Sequence, residues 1–218
     1  MTHRHVDLSH VVTDAMTTYP GLPVPQISDH LTRAHAEEVY GPGYTFQIGM
    51  ITMCSNTGTY LDVPFHRYAD GYDLTGLELS RVADVDAVVV DCRGITAIGA
   101  AEIPDGDLRG RAVLFHTGHG VYFGTDRYFI QHPHLTADAA ERLVDATVAC
   151  VGIDSLNIDA TSDGHRPVHS ILLGAGIPII EHLRGLEELP AEGCRFTAVP
   201  PMVEGMGTFT VRAFATLP

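Results

Sequence analysis

The sequence contains no lysine and no tryptophan, and all thirteen of its basic residues are arginines. Aspartate and glutamate together number 27, which gives a formal net charge of -14 at pH 7. No basic stripe is therefore present to follow a phosphate backbone or to bind an anionic lipid surface. The composition predicts neither a nucleic acid nor a membrane as a partner.

Cysteine is scarce, and its spacing excludes the common cysteine motifs. The four cysteines, Cys54, Cys92, Cys150 and Cys194, lie far apart in the chain, and three of them are inside or beside apolar, strand-like runs. This spacing is not that of a CxxC zinc or redox site. We expect all four to be reduced and buried.

Long hydrophobic runs are also missing. The first residues, MTHRHVDLSHVV, turn polar before an apolar core of signal-peptide length has formed, and no later segment reaches the length of a membrane span. The expectation is a cytoplasmic protein. A length of 218 residues with 45% hydrophobic and 18% charged residues predicts one globular domain over residues 1–218.

Most of the regular segments have strand character. Residues 46–53 alternate apolar and small or polar side chains, the period of a half-buried strand, and several short β-branched runs suit buried strands. The predicted strands are Phe46–Met53, Val85–Cys92, Arg111–His116, Thr147–Ile153, Ile177–Glu181, Cys194–Val199 and Thr208–Ala215.

Two segments have helical character. Thr136 is a candidate N-cap for a helix over Ala137–Ala146, in which the apolar residues recur at helical spacing. A shorter helix is predicted at about Pro167–Leu173, because proline suits a first turn and glycines follow. Strands and helices alternate here, so the fold class is mixed α/β with a large sheet component.

The stretch SNTGTYLDVPFH, residues 55–66, places chemically active side chains close together. Asp62 and His66 are four residues apart with Pro64 between them, so in an extended or turning segment both side chains can face one cavity. Gly58 allows close approach of the backbone. The alternative interpretation is a polar surface turn.

A second cluster lies further along the chain. His165 and His169 are four residues apart, and Glu181 ends the apolar run Ile177–Ile180. A glutamate in such a place is costly to bury unless it is paired or binds a metal ion. Asp62, His169 and Glu181 together form an O, N, O ligand set suited to Zn or Mn, and such an ion can activate a water as a nucleophile. This combination indicates a hydrolase.

The segment Ser55–His66 resembles the H-x-G-T-H-x-D-x-P-x-H signature of the cyclase family, metal-dependent hydrolases that include bacterial kynurenine formamidase and isatin hydrolase. The spacing and context of His169 and Glu181 are similar to those of the family's distal ligand pair. Further segments match in the right order, namely Val6–His10, Tyr19–Gly21, Thr117–Gly118 and His132–Leu135.

Two positions depart from the signature. Asn56 and Tyr60 stand where typical members have histidine metal ligands. Asparagine offers a carbonyl oxygen and tyrosine a phenol, but neither replaces the neutral imidazole that zinc favours. We therefore expect one divalent metal ion, or none, where the family's binuclear members hold two.

The resemblance implies roles for the site residues. Asp62, His169 and Glu181 would hold the ion, and His66 would serve as general base and then general acid. Tyr60 would donate a hydrogen bond to the developing oxyanion. In a metal-free mechanism His66 would activate water directly, and Asn56 and Tyr60 would polarise the substrate.

The resemblance also implies a fold, a substrate class and an assembly. The expected fold is an α/β domain with a barrel-like mixed β core and flanking helices, assembled as a homodimer or homotetramer. The expected substrate is a small molecule, namely a formamide, a lactam or another cyclic amide or ester. Aromatic residues near the site segments are candidates for lining an apolar pocket, and core packing explains most of them equally well. Arg67, directly after His66, is a candidate ligand for a substrate carboxylate, but a surface salt bridge is the more expected fate of this side chain.

The alternative to an enzyme is a non-catalytic protein with the same fold. A protein that kept the fold but lost catalysis would act as a small-molecule binder, and it would tolerate losses such as those at Asn56 and Tyr60. The surviving set of Asp62, His66, His169 and Glu181 is chemically coherent, which favours an enzyme.

Overall fold

The computed structural model describes residues 4–162 and 164–218. Its α-helices are α1 (Arg33–Tyr40), α2 (Ala137–Asp145) and α3 (Pro167–Gly174). Its strands are β1 (Arg4–Asp7), β2 (Gln26–Leu31), β3 (Ile48–Thr52), β4 (Tyr60–Asp62), β5 (Val85–Asp91), β6 (Ala97–Ile98), β7 (Ala112–His116), β8 (His134–Leu135), β9 (Cys150–Ile153), β10 (Ile179–Glu181), β11 (Glu192–Thr197), β12 (Thr208–Thr210) and β13 (Phe214–Leu217).

Nine of these strands form one sheet in the order β1-β13-β11-β5-β7-β9-β10-β4-β12. Strands β5, β7, β9 and β10 run parallel to one another, and the flanking pairs are antiparallel. β12 ends the order on one side, while β13 is next to the other end, yet only residues 211–213 connect them. Because three residues span roughly 10 Å at most, the sheet must curl until its two ends lie close together. This half-barrel is the barrel-like mixed core that was expected.

The central strands are buried on both faces, which explains their unbroken apolar runs. Along β7, Ala112 and Leu114 belong to the apolar cluster on one face of the sheet, while Val113 and Phe115 belong to the cluster on the other. Helices α2 and α3 contribute their apolar side chains to the second cluster. No helix among the described residues is long and apolar enough to cross a membrane.

Several predicted elements are confirmed with shifted ends. Helix α3 begins at Pro167 as predicted, and α2 covers nearly the predicted range, although the Thr136 side chain bonds to Ile98 and Asp138 and caps no helical N–H. The predicted cysteine state agrees with the structure, since Cys92, Cys150 and Cys194 are buried and all four thiols are free. Only Cys54 is half-buried.

Two strand predictions were wrong in character. The segment Thr208–Ala215 forms two strands, β12 and β13, because the chain crosses between the ends of the curled sheet at residues 211–213. The strand predicted at 46–53 exists as β3, but it is exposed along its whole length and pairs only with β2, outside the main sheet. The alternation in this segment therefore does not correspond to a half-buried face in the structure of this chain.

Candidate active site

A cavity of about 350 Å³ opens at the end of the sheet formed by β10, β4 and β12. It contains all six residues that the sequence nominated for the site, together with others that the sequence did not single out. The lining residues are Tyr19, Leu22, Asn56, Tyr60, Asp62, His66, Arg67, Asn157, Arg166, His169 and Glu181.

Strand register brings the first of these side chains together. In the antiparallel β4–β10 pair, Tyr60 lies opposite Glu181, and in the β4–β12 pair, Asp62 lies opposite Thr208. Tyr60 and Asp62 are two residues apart in the strand, so both point to the same face. The site therefore depends on β4, a three-residue strand with a partner on each side.

Asp62 is a buried carboxylate with one oxygen still available. Its Oδ1 accepts a hydrogen bond from Thr208 Oγ1, while its Oδ2 is buried and has no hydrogen-bond partner among the described residues. Burial raises the pKa of Asp62, but the nearby imidazoles of His66 and His169 outweigh it, and the net shift is downward. The group is an anion with an oxygen aimed at the cavity, which suits a bound cation.

His169 is held in one orientation by Asp159. Oδ2 of Asp159 lies 2.6 Å from His169 Nδ1, and the same carboxylate accepts the backbone N–H groups of Val168 and His169 in the first turn of α3. Nδ1 therefore carries the proton that it donates, and Nε2 faces Asp62 Oδ2 at 3.8 Å and Glu181 Oε1 at 3.7 Å. A carboxylate behind a histidine is a common support for a metal ligand.

The charges around His169 also affect its protonation. Burial lowers the pKa of this imidazole, but its hydrogen bond to Asp159 and the nearby carboxylates of Asp62 and Glu181 raise the pKa to about 10. Three carboxylates thus surround a single imidazole in a buried place. Such a cluster favours a positive charge, which either a proton or a metal ion can supply.

Glu181 is fully buried at the end of β10, and both of its oxygens accept hydrogen bonds. Tyr60 donates from its hydroxyl at 2.5 Å, the backbone N–H of Ile158 donates at 2.6 Å, and Asn157 donates from its amide at 3.4 Å. Burial raises the pKa of Glu181 to about 7, although His169 and these donors act in the opposite direction.

Tyr60 is one of the donors to this carboxylate, and Asn56 lies beside it. Burial, followed by the charges of Glu181 and Asp62, raises the pKa of Tyr60 well above its usual value, so the phenol keeps its proton and donates it to Glu181. The Asn56 amide lowers the pKa of Tyr60, but by less than burial and the two carboxylates raise it. A phenol has one O–H, so in this arrangement Tyr60 cannot also donate to an oxyanion as the sequence analysis expected.

His66 lies in the short 3₁₀ helix Pro64–His66 that follows β4, with 36% of its side chain exposed. Its Nδ1 is 2.8 Å from Thr208 Oγ1. Because the single Thr208 O–H is donated to Asp62, His66 must donate its Nδ1–H to Thr208. This tautomer leaves Nε2 unprotonated, so His66 is able to accept a proton.

Gly207 allows the 3₁₀ helix Pro64–His66 to lie close to the residue that precedes β12. A Cβ atom built on Gly207 would be 2.2 Å from the backbone nitrogen of His66, which no side chain can occupy. The carbonyl of Gly207 also accepts the backbone N–H of Val63 at 2.8 Å. The position of His66 therefore requires glycine at residue 207.

The residues present fit a divalent metal ion. Asp62, His66 and His169 offer ligand atoms that all lie within 4.8 Å of one another. Glu181 Oε1 is 3.7 Å from His169 Nε2, so the expected set of Asp62, His169 and Glu181 also borders a common space. Both sets contain Asp62 and His169, and their O and N donors are those that Zn and Mn accept.

Sequence reasoning missed three positioning residues in this site. Thr208 lies 142 residues from His66 in the chain, and Asp159 and Asn157 stand in the polar stretch that precedes helix α3. The signal for Asp159 was its place shortly before the proline that begins α3, where a carboxylate can cap the helix. His165, four residues before His169, is exposed and is not among the residues that line the cavity.

Most aromatic residues near the site segments follow the core-packing alternative. Tyr60 is the one of them that lines the described cavity, and Tyr19, which was not among these candidates, lines it too. Phe123 and Tyr128 instead pack against histidines outside the cavity, where Phe123 stacks on His10 with ring centroids 3.7 Å apart. These aromatics therefore serve packing outside the cavity.

Comparisons with known proteins agree with this architecture. The kynurenine formamidase of Bacillus mycoides (strain KBAB4) is 27% identical over 184 residues, covering 84% of this chain and 83% of that protein. The kynurenine formamidase of Delftia acidovorans (strain DSM 14801 / SPH-1) is 27% identical over 228 residues, covering 98% and 97%.

Solved structures have the same fold. An isatin hydrolase bound to the product analogue thioisatinate superimposes with a TM-score of 0.82 at 22% identity, over 99% of this chain and 93% of that one. A structure described as a potential metal-dependent hydrolase with cyclase activity gives a TM-score of 0.80 at 25% identity, over 100% and 99%. The model of the cyclase family, described as "Putative cyclase", matches residues 6–160. The chain therefore belongs to the cyclase family.

Proposed function

We propose that this protein is a metal-dependent hydrolase of a small amide, formamide or cyclic amide or ester. The observation that carries the proposal is the meeting of Asp62, His66, His169 and Glu181 in one cavity, with Oδ2 of Asp62 left without a partner among the described residues. Relatives named kynurenine formamidase and a structure described as a potential metal-dependent hydrolase support it.

Asp62, His169 and Glu181 would hold one Zn or Mn ion. When bound, the ion supplies positive charge that lowers the pKa of a water and stabilises negative charge on the attacked carbonyl. Asp159 holds the His169 ring so that Nε2 faces the cavity, and Tyr60 and Ile158 hold Glu181. These contacts fix the ligand atoms before an ion arrives, which favours binding.

His66 moves the proton. Its Nε2 takes a proton from the attacking water while a new C–O bond forms at the carbonyl carbon, and the same proton then passes to the departing nitrogen or oxygen as the old bond breaks. Thr208 and Asp62 stabilise the ring during this step, because Nδ1–H donates to Thr208 and Thr208 donates to Asp62. Asp62 would hold the ion through Oδ2, while its Oδ1 accepts the hydrogen bond from Thr208 that supports His66.

Asn56 is a neutral polar group of the cavity that can donate to a substrate carbonyl. Its amide lines the cavity, whereas the Tyr60 hydroxyl is donated to Glu181. We therefore assign Tyr60 to holding Glu181, and Asn56 to donating a hydrogen bond to the substrate. The donor to the oxyanion is then Asn56, where Tyr60 was expected.

One observation favours the metal-free alternative, an altered hydrolase or a binder of small molecules. Both oxygens of Glu181 already accept hydrogen bonds, and a protonated His169 balances the surrounding carboxylates. In that case the carboxylate cluster needs no ion. Asp62 Oδ2, which is buried without a partner among the described residues, favours metal binding.

Elemental analysis of untagged protein, before and after incubation with Zn or Mn, tests the metal. The proposal expects about one ion per chain in the wild type and loss of that ion in Asp62→Ala with Glu181→Ala. No ion in the wild type after incubation would overturn the metal-dependent mechanism.

Turnover of a panel of aryl formamides, isatin and lactones tests the reaction. His66→Ala should abolish turnover without removing the ion, while the control His30→Ala, on the exposed strand β2, should change neither. Absence of turnover across the whole panel, with clear thermal stabilisation by the same compounds, would indicate a binder and overturn the hydrolase.

A further inference from the structure

Two arginines line the rim of the cavity whose floor carries the acidic and histidine ligands. Arg67 follows His66 directly, and Arg166 immediately precedes helix α3, which carries His169. Both are therefore connected through the main chain to residues of the proposed reaction centre. The protein as a whole carries a net charge of -14, so two cations at one cavity stand out from their surroundings.

Neither arginine has a carboxylate partner among residues 4–162 and 164–218. Other arginines of the chain do pair with acids on the surface, as Arg93 does with Asp91 and Arg212 with Asp7. Asp62 and Glu181 share the cavity with Arg67 and Arg166, but no ion pair joins either acid to a guanidinium. Within the part of the chain that the structure describes, no carboxylate therefore balances these two positive charges at short range.

Neutral acceptors hold the two guanidinium groups in place. Arg67 donates from Nε to Ser170 Oγ at 3.2 Å and from Nη2 to the carbonyl of His165 at 3.0 Å. Arg166 donates from Nη1 to the carbonyl of Ala160 at 3.0 Å. A guanidinium has five N–H donors, so each retains donors for a ligand after these bonds are made.

The main chain at Arg166 is also held in an unusual conformation. Its φ of 51° and ψ of 60° lie in the left-handed region, which costs a non-glycine residue free energy. The residue stands at the N-cap position of α3, one residue before Pro167, so the geometry that starts the helix also directs this side chain. Glycine would relieve the strain there but would remove the cation.

We propose that Arg67 and Arg166 bind a carboxylate of the substrate, so that the hydrolysed amide belongs to an anionic molecule. Planar guanidinium groups pair with carboxylates through two parallel hydrogen bonds, and positioned donors lose little freedom on binding. The cavity then has two poles, with the ligand cluster at the scissile carbonyl and the arginines at the carboxylate. This inference rests on the proposed hydrolase function and names its substrate class.

The test compares matched substrates on the metal-loaded protein. The three isomeric formamidobenzoates carry a carboxylate at different distances from the formamide, and formanilide carries none. We expect at least one isomer to have a kcat/KM about tenfold or more above that of formanilide. Arg67→Gln and Arg166→Gln should each reduce that ratio toward one, mainly through KM, while Arg127→Gln, whose side chain stacks on Tyr122, should preserve it.

A purely structural role of the arginines predicts a different result. Arg67→Gln and Arg166→Gln would then lower the thermal midpoint and reduce turnover of charged and neutral substrates by the same factor. That outcome overturns the inference, as does equal turnover of formanilide and all three isomers by the wild type.

Equilibrium binding of aminobenzoates and of aniline separates this inference from the proposed function. If the wild type hydrolyses nothing but binds an aminobenzoate in an arginine-dependent way, the hydrolase proposal fails and the carboxylate site is supported. If formanilide is hydrolysed while aminobenzoates bind no better than aniline, the hydrolase holds and the carboxylate site is overturned. Failure of both turnover and anion binding overturns both.

Discussion

The hydroxyl of Tyr60 lies 2.5 Å from Oε2 of Glu181, its direct neighbour across the antiparallel β4–β10 pair. A residue that stands where the family signature has a histidine thus hydrogen-bonds to a proposed ligand. The phenol stabilises the ionised form of a carboxylate whose pKa burial raises to about 7. Tyr60 therefore affects the pH at which Glu181 becomes available to a cation.

Removing that hydroxyl should shift the pH dependence of metal binding. In Tyr60→Phe the carboxylate of Glu181 loses a donor, so its pKa rises, by about one unit for a hydrogen bond of this kind. Ion binding measured by competition with a chelator should then require a correspondingly higher pH. Tyr72→Phe, which removes a hydrogen bond to the Gly176 carbonyl away from the cavity, is the control. An unchanged midpoint in Tyr60→Phe would contradict this role.

Asp159→Asn should weaken the ion site without touching it directly. The substitution replaces the carboxylate that orients His169 and accepts two N–H groups of α3, and loss of such a support lowers metal affinity about 10- to 100-fold. Calorimetric titration with Zn measures the effect. Asp73→Asn changes a comparable cap, that of the 3₁₀ helix Leu74–Gly76, and should leave affinity unchanged. Equal affinity in both variants would refute the orienting role.

Thr208→Val should reduce kcat while the ion stays bound. The hydroxyl connects Asp62 to His66, and without it the tautomer of His66 with Nε2 unprotonated is no longer enforced. We expect a loss of about tenfold or more, since general base catalysis contributes about 10²–10⁴-fold. Thr210→Val, on the same strand, removes a bond to the Thr57 carbonyl and serves as the control. Similar kcat values for the two variants would argue against the connection.

Gly207→Ala should displace the turn that carries His66. The added methyl group would overlap the backbone of Phe65 and His66, and the neighbouring atoms belong to the main chain, which has little freedom to move. Both the thermal midpoint and kcat should fall, and a crystal structure of the variant would show the shift. Gly106→Ala, where the methyl group meets nothing within 4 Å, should have the properties of the wild type. A stable and active Gly207→Ala protein would show that the contact is unimportant.

Acid should destabilise the protein partly through His132. Burial lowers the pKa of this histidine to about 4, below the value of 6.5 expected in the unfolded chain. Between these values the unfolded chain binds more protons, so the free energy of unfolding falls as the pH drops from 6.5 toward 4. Glu181 acts in the opposite sense, because its raised pKa adds stability as the pH falls from 7 toward 4.5. A variant is therefore needed to isolate His132.

His132→Gln retains a side chain that can bond to Thr161 but does not titrate. Urea unfolding at pH 7 and pH 5 should show that the wild type loses about 1–2 kcal/mol more than the variant over this interval. An equal loss in both proteins would mean that His132 is not the source. His5→Gln, on the exposed first strand, is a suitable control for the substitution itself.

The sequence predicted the members of the candidate site better than their arrangement. Asp62, His66, His169 and Glu181 could be nominated because each stands out chemically from an apolar or turn-like neighbourhood. Strand β4 itself was missed, because three residues with a buried aspartate have neither the period nor the composition of a strand. The strand propensity of these residues does not predict β4, because the site places a charged side chain where a buried strand normally carries an apolar one.

Contacts made by strand register could not be predicted from spacing along the chain. Thr208 joins Asp62 and His66 only because β12 pairs with β4, and Tyr60 meets Glu181 only because β10 pairs with β4 on its other side. Tyr60 and Glu181 are 121 residues apart in the chain, and Asp62 and Thr208 are 146 residues apart. A local pattern contains no information on such neighbours, whereas the helix α3, fixed by adjacent residues, was placed correctly.

Strand β4 lies between two partner strands, β10 and β12, in the main sheet. Main-chain hydrogen bonds from β10 and β12 set the register of β4, and a slip by one residue would turn Tyr60 and Asp62 away from the cavity. The backbone that presents these positions therefore depends little on the side chains they carry. New reactivity can arise at residues 60 and 62 by single substitutions, with the frame intact, which makes this strand a natural target for directed evolution.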